Sequence, residues 1–135
     1  RLTGKPYSSF LQKKKLVRYF KCINMTLEME RDLLYKRINL RVDKMVNEGL
    51  EAEAKSLIVY KGKTALKTVG YQEFFDYFDK KTTKEKAIEL IKRNSRRYAK
   101  RQITWFKRDK NAVWINSTNY SHIVNHINSY LNSIN

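Results

Sequence analysis

One long amphipathic helix constrains the fold of this chain more than any other feature of its sequence. The helix is predicted from an N-cap at Thr82 or Thr83 to about Arg108, with Glu85 in its first turn. At about 100° per residue, half of the helical wheel is wholly cationic: Lys92, Arg93, Arg96, Arg97, Lys100, Arg101, Lys107 and Arg108. The other half carries the side chains expected to pack inward: Ile88, Ile91, Tyr98, Ala99, Trp105 and Phe106. Like charges on one face repel one another, so an anionic ligand explains this cationic row better than helix stability does.

The composition agrees with an anionic partner. The 135 residues are 41% hydrophobic, enough for one compact domain over residues 1–135, and Lys and Arg outnumber Asp and Glu by 29 to 13. Nucleic acid is favoured over a membrane, because no segment has the long apolar run that a bilayer requires. The single cysteine, Cys22, fits a reducing cytoplasm. The chain starts at Arg1 without a signal peptide or an initiator Met, which suggests a processed or truncated polypeptide.

Shorter elements precede and follow the long helix in the prediction. They are a strand over Lys15–Met25, a helix from an N-cap at Thr26 to Gly49 with Glu28 and Glu30 in its first turn, a helix over Leu50–Tyr60, a helix after Gly70 through "YQEFFDYFD", a strand over Ala112–Asn116 and a helix over Tyr120–Ile134. The last helix is expected to turn one set of side chains inward: Ile123, Ile127, Tyr130, Leu131 and Ile134. The fold class is therefore α/β, predominantly helical with two short strands.

Three polar residues fall on faces that are otherwise apolar. Ser95 and Gln102 lie in the middle of the apolar stripe of the long helix, and Arg41 lies in the apolar seam of the first helix. Buried hydroxyl and amide groups need partners, so Ser95 and Gln102 either form hydrogen bonds inside the fold or line a cavity that a ligand enters. Arg41 is either a snorkelling or acid-paired side chain, or a phosphate ligand.

Several familiar motifs are incomplete. The "GKT" at Gly62 lacks the earlier glycine of a phosphate-binding loop, because position 57 is leucine. His122 and His126 are four residues apart on one helix, but no third metal ligand is near them in sequence. Local spacing therefore nominates no metal site, catalytic base or nucleophile.

Four blocks of sequence carry a family resemblance. They are "LTGKPYSS" at residues 2–9, "ERDLLYKRINLRVDKMVNEGLEAEAKSL" at 30–57, "ALKTVGYQEFFDYFDKK" at 65–81 and "NSRRYAKRQITWFKR" at 94–108. In this order they resemble the C-terminal portion of the tRNA dimethylallyltransferase family, also called tRNA isopentenyltransferases. One departure is Ser95, where the family usually has threonine; the hydroxyl group is retained.

The resemblance implies a function. Such enzymes transfer a dimethylallyl group from dimethylallyl diphosphate to the exocyclic amine of the adenosine 3′ to the anticodon, with Mg²⁺ assisting loss of diphosphate. By motif match, Arg41 is the arginine near the reaction centre. Two segments match those that bind the tRNA anticodon stem-loop: Lys67, Thr68, Val69, Gly70, Tyr71 and Gln72, and Asn94, Ser95, Arg96, Arg97, Tyr98, Ala99, Lys100 and Arg101. Arg37, Gln102 and Trp105 are expected along the reaction channel.

The resemblance also implies that part of the enzyme lies outside this sequence. The family's fold is of the P-loop NTPase type, and its phosphate loop, general base and most of its Mg²⁺ site belong upstream of Arg1. This polypeptide alone is then expected to be inactive and able to self-associate through exposed strand edges, whereas the whole enzyme is expected to be a monomer.

Two other interpretations explain part of the pattern. A stand-alone basic helical module that binds nucleic acid would account for the charge, but not for Arg41, Ser95 and Gln102 on apolar faces. An adenylate isopentenyltransferase would share much of the fold, but a small nucleotide needs no long cationic face.

Overall fold

The computed structural model describes residues 4, 19–20, 22–116 and 120–134. Its elements are β1 (Met25–Glu28), α1 (Arg31–Asn47), α2 (Leu50–Ser56), 3₁₀ turns at Ile58–Tyr60 and Thr64–Leu66, α3 (Tyr71–Phe78), α4 (Lys84–Phe106), β2 (Val113–Asn116) and α5 (Tyr120–Ile134). The predicted class, mostly helical with two short strands, is confirmed. In the described part of the chain, no helix is long and apolar enough to cross a membrane.

The start of α1 differs from the prediction. Thr26 does not cap the helix, because it lies in β1 together with Glu28. The N-cap is Glu30, whose carboxylate accepts hydrogen bonds from the backbone N–H groups of Asp32 at 2.9 Å and Leu33 at 2.8 Å. Two backbone donors that have no partner within the helix are thereby satisfied by one side chain.

The two strands are parallel and pair residue by residue, from Met25 opposite Val113 to Glu28 opposite Asn116. The predicted strand at Lys15–Met25 is wrong for most of its described residues: residues 19–20 and 22–24 are not in a strand, and only Met25 is; residues 15–18 and 21 lie outside the described part of the chain. β2 begins one residue later than predicted and buries Ile115. α1 begins at Arg31, three residues after the end of β1 at Glu28.

The core lies where α1, α2, α3 and α4 meet. Its buried apolar residues are Val42, Leu50, Ala54, Phe74, Phe75 and Ile91. Gly49 has a φ of 107°, which allows the chain to turn from α1 into α2, as predicted for the end of that helix. Gly70 has the same φ and is buried beside Leu50, so it leads into α3 where a side chain would be strained.

Helix α4 begins as predicted, with Thr83 Oγ1 accepting from the N–H of Lys86 at 3.2 Å. Lys84 Nζ forms an ion pair with Glu51 of α2 at 2.6 Å, which ties this end of the helix to the domain. The predicted helix at Leu50–Tyr60 is shorter: α2 ends at Ser56 and a 3₁₀ turn follows.

Helix α5 is confirmed, with one side chain placed differently. Ile123, Ile127 and Tyr130 are partly buried, but Leu131 is 47% exposed and is not an inward residue. The side chain of Ile134 lies outside the described residues.

The cap at Glu30 predicts a pH dependence. The backbone hydrogen bonds from Asp32 and Leu33 lower the pKa of Glu30. Because folding lowers this pKa, the cap stabilises the fold at neutral pH, and the stabilisation is lost as the pH falls through the lowered value. Glu30→Gln should therefore be less stable than the wild type at pH 7, with a gap that narrows towards pH 3, in urea unfolding followed by circular dichroism. Glu85→Gln, in the exposed first turn of α4, is the control; a Glu30→Gln gap that is constant with pH would contradict this role.

Candidate nucleic-acid interface and adjoining groove

A groove of about 460 Å³ runs between α1 and α4. Its lining residues are Leu34, Ile38, Arg41, Val42, Met45, Thr68, Val69, Ile91, Ser95, Tyr98, Ala99 and Gln102. We call it the central groove. It brings Arg41, Ser95 and Gln102, the three polar residues on apolar faces, to one place. Ser95 is partly buried and Gln102 is exposed, so Gln102 is not the buried amide that the helical wheel predicts; both side chains line this groove.

Arg41 is exposed at this groove. Within the part of the chain that the structure describes, no carboxylate forms an ion pair with it. The described residues therefore do not support the alternative in which Arg41 is paired with an acid. An arginine keeps its charge at any ordinary pH and presents a planar fork of donors, so the Arg41 side chain can bind an anionic group in the groove.

The predicted cationic row divides into two sets, and its last two members, Lys107 and Arg108, follow the end of α4 at Phe106. Lys92 and Arg96 are used by the fold: Lys92 Nζ lies 2.5 Å from Asp43 Oδ1, and Arg96 Nη1 donates to Asn39 Oδ1 at 2.6 Å. The others have no carboxylate partner among the described residues: Arg93, Arg97, Lys100, Arg101, Lys107 and Arg108. Two of the eight predicted cations thus have partners within the fold, and the charge of the other six stays available to an anion.

The apolar half of α4 packs inward over only part of its length. Ile91 is buried and Ile88 packs against the core, as expected. Tyr98, Trp105 and Phe106 are instead 53%, 64% and 40% exposed. A helical wheel predicts the direction of a side chain but not whether another element packs against it. The core formed with α1, α2 and α3 includes Ile88 and Ile91, which lie in the N-terminal half of α4.

Glu73 is a buried carboxylate beside the central groove whose structural role the sequence did not indicate. It is 6% exposed, and its carboxylate accepts from the Gly70 N–H at 2.8 Å and from Asn94 Nδ2 at 2.7 Å. The carboxylate therefore joins the two segments that were predicted to bind tRNA. A glutamate three residues after a helix cap is a recognisable capping pattern, but its bond to a side chain 21 positions away is not visible in sequence.

Five other predicted site residues do not line the central groove. Lys67 and Gln72 are exposed, and Tyr71 Oη donates to Glu53 at 2.6 Å, which raises the pKa of the Tyr71 hydroxyl. Arg37 and Trp105 are exposed but do not line the central groove. Arg37 donates to Met29 Sδ at 3.8 Å, while Trp105 packs edge-on against Phe106.

The family model described as IPP transferase matches residues 1–109. The chain belongs to the IPP transferase family.

Similar proteins include two curated relatives and two solved structures. A tRNA dimethylallyltransferase of Flavobacterium psychrophilum is 57% identical over 83% of this chain, and one of Christiangramia forsetii is 48% identical over 97%. A tRNA isopentenylpyrophosphate transferase from Bacillus halodurans superposes on 82% of the chain with a TM-score of 0.74 and 43% identity. A tRNA delta(2)-isopentenylpyrophosphate transferase from Staphylococcus epidermidis covers 97% with a TM-score of 0.75 and 33% identity.

This member of the IPP transferase family spans less than half the length of these relatives. It covers 36% and 44% of the two curated proteins and 38% and 45% of the two solved chains. The match is to their C-terminal portion, so the resemblance seen in the four sequence blocks is confirmed.

The buried position of Glu73 predicts a stability effect in this IPP transferase domain. In Glu73→Gln the amide nitrogen faces one of the two N–H donors, so one buried donor loses its acceptor. We expect a loss of about 1–3 kcal/mol in the free energy of unfolding, measured with urea. The exposed control Glu85→Gln should change it by less than about 0.5 kcal/mol. Equal values for the two variants would show that the Glu73 bonds do not stabilise the fold.

Proposed function

We propose that the protein modifies tRNA by transferring a dimethylallyl group from dimethylallyl diphosphate to the exocyclic amine of the adenosine 3′ to the anticodon. In this proposal the present residues supply tRNA-binding surface and part of the active-site wall. The observation that carries the proposal is the central groove, where Arg41, Thr68, Ser95 and Gln102 meet beside the unpaired cations of α4. The names of the similar enzymes support the same chemistry.

The groove suits a nucleobase extruded from its stack. Its volume of about 460 Å³ lies within the roughly 300–1,000 Å³ typical of ligand sites. Val42 and Ile91 give it an apolar floor, while the Ser95 hydroxyl and the Gln102 amide can form hydrogen bonds with base edges. Enzymes that modify a base commonly flip it out of the RNA, and this groove is the proposed receptacle.

Arg41 is proposed to act on the leaving group. As the bond between the prenyl carbon and the diphosphate oxygen breaks, negative charge develops on the diphosphate. A guanidinium group placed at the groove stabilises that charge, and its fork geometry matches phosphate oxygens.

The free cations of α4 are proposed to hold the tRNA backbone. Arg93, Arg97 and Arg101 are spaced by four residues, so they form one stripe about 12 Å long on the helix surface. Phosphate contacts of this kind supply affinity and register without reading sequence. A small nucleotide acceptor would not use such an extended stripe.

Magnesium belongs to a different part of the proposed enzyme. Among the described residues, no three His, Cys, Asp or Glu side chains are grouped so as to hold a metal ion. These residues therefore do not fit a Mg²⁺ site, and the proposal assigns the ion to the remainder of the protein. The cytoplasm, where tRNA is found, is the proposed location, and the whole enzyme is proposed to be a monomer.

The proposal is tested by assaying prenyl transfer with the full-length enzyme, dimethylallyl diphosphate and an anticodon stem-loop. We expect modification of the adenosine 3′ to the anticodon and an apparent tRNA affinity that falls steeply with salt, because several phosphates are contacted. Transfer to free adenosine monophosphate with a flat salt dependence would instead support an adenylate isopentenyltransferase. RNA binding without any transfer would support a simple binding module.

Two variants separate the proposed roles. Arg41→Ala should lower kcat about 100-fold, the magnitude seen when one donor to a developing charge is removed, and change the tRNA Kd little. Arg97→Ala with Lys100→Ala should raise the tRNA Kd about tenfold at moderate salt and leave kcat at saturating tRNA nearly unchanged. Lys55→Ala, an exposed lysine on α2, serves as the control. Similar effects of both variants on both parameters would refute this division.

A further inference from the structure

We propose that a second groove, beside the central one, binds a phosphodiester group of the tRNA strand next to the reactive nucleotide. The inference rests on the proposed function and adds a subsite to it. The residues assigned to it are Arg31, Tyr35, Lys100 and Lys107. Lys100 and Lys107 belong to the cationic row predicted from the sequence, whereas Arg31 and Tyr35 do not.

This lateral groove has a volume of about 330 Å³ and lies between the N-terminal part of α1 and the C-terminal part of α4. Its lining residues are Met29, Arg31, Leu34, Tyr35, Lys100, Ile103, Thr104 and Lys107. Three are cationic and none is acidic. The apolar side chains form a floor of low polarizability, against which the charges attract an anion more strongly than in open solvent.

The Tyr35 ring contacts one guanidinium group from α1 and one from α4. The Arg31 guanidinium carbon lies 5.2 Å from the ring centroid, and Arg31 Nε donates to Tyr35 Oη at 3.2 Å. The Arg96 guanidinium lies 5.9 Å from the same centroid and is also held by Asn39. Guanidinium groups fixed in this way lose less conformational entropy when a phosphate binds.

Glu30, the residue before Arg31, has its carboxylate occupied by two backbone N–H donors at the start of α1. Arg31, Lys100 and Lys107 form no ion pair with any carboxylate of the described residues. Their charges are therefore available to an external anion.

Continuity with the central groove identifies the anion as part of the RNA. Leu34 lines both grooves, so they adjoin. Lys100 belongs to the unpaired cations of α4, so the lateral groove also continues the surface proposed to hold the tRNA backbone. A strand that places one base in the central groove has its neighbouring phosphate next to Arg31, Lys100 and Lys107.

The test uses the full-length enzyme with the double substitution Arg31→Gln and Lys107→Gln. The readouts are the Kd of an anticodon stem-loop, measured by fluorescence anisotropy over a range of KCl concentrations, and the KM for dimethylallyl diphosphate. We expect the Kd at moderate salt to rise about tenfold, and the slope of log Kd against log salt to fall by about 0.7 for each single-strand phosphate that the variant no longer binds. The KM for dimethylallyl diphosphate should stay within about twofold of the wild type, because that substrate does not enter this groove.

Control variants separate phosphate binding from a structural role. Lys55→Gln removes an exposed lysine outside both grooves and should leave Kd and slope unchanged. Tyr35→Phe keeps the ring and should bind almost as the wild type, whereas Tyr35→Leu should raise the Kd severalfold, since the ring positions the guanidinium groups. If the double variant fails to fold by circular dichroism, Lys107→Gln alone must still lower the salt slope.

Two results would overturn the subsite. An unchanged tRNA Kd and salt slope in an active double variant would show that no RNA phosphate is bound there. A raised KM for dimethylallyl diphosphate with unchanged tRNA affinity would assign the groove to the diphosphate of the prenyl donor. If the wild-type enzyme binds tRNA and the double variant shows the expected fall in slope, but neither transfers a prenyl group, the proposed function fails while the phosphate subsite stands.

Discussion

The contact between α1 and α4 is the interaction on which the rest of the structure depends. Asp43 meets Lys92 and Asn39 meets Arg96, so residue numbers fall along α1 as they rise along α4 and the helices run antiparallel. Val42 and Ile91 are buried within the core beneath these pairs. Ala99 is small and lines both the central groove and the cavity beside β1, so the two helices leave space there. The helix pair therefore creates both the stability of the domain and the groove proposed to receive a base.

Buried Glu73 is the second constraint, and it connects the loop before α3 to α4. A carboxylate removed from water requires hydrogen-bond donors, and here it receives one from the Gly70 backbone and one from Asn94. Thr68 and Val69, which immediately precede Gly70, line the central groove together with Ser95, which immediately follows Asn94. The Glu73 side chain thus holds the loop before α3 and helix α4 together where both line the groove, which preorganises a surface made of two separate segments.

The features that local chemistry determines could be predicted from the sequence. Thr83 as a cap, Gly49 as a helix end and the segregated cations of α4 all follow from side chains within a few residues of one another. The strand β1 was missed because it pairs with Val113 and its neighbours, almost ninety positions away, and no local pattern records that partner. The exposure of Trp105 and the bonds of Glu73 were missed for the same reason: both depend on which other element is or is not alongside. Arg41, Ser95 and Gln102 could be singled out because a polar residue on an apolar face violates the helical pattern, and all three line the central groove.

Helical geometry allows α4 to use cations for two purposes at once. Lys92 and Arg96 are four residues apart and face α1, where Asp43 and Asn39 hold them. Arg93, Arg97 and Arg101 repeat the same spacing one position later, so their stripe is turned by about 100° from the structural pair and looks outward. The pairing of Lys92 removes one charge from the repulsion within the row, and the bond of Arg96 fixes the rotation of the helix about its axis. The contacts of Lys92 and Arg96 with α1 therefore determine which way the outward stripe of arginines faces. Cationic side chains on one side of α4 stabilise the fold, and cationic side chains on another side are proposed to bind phosphate.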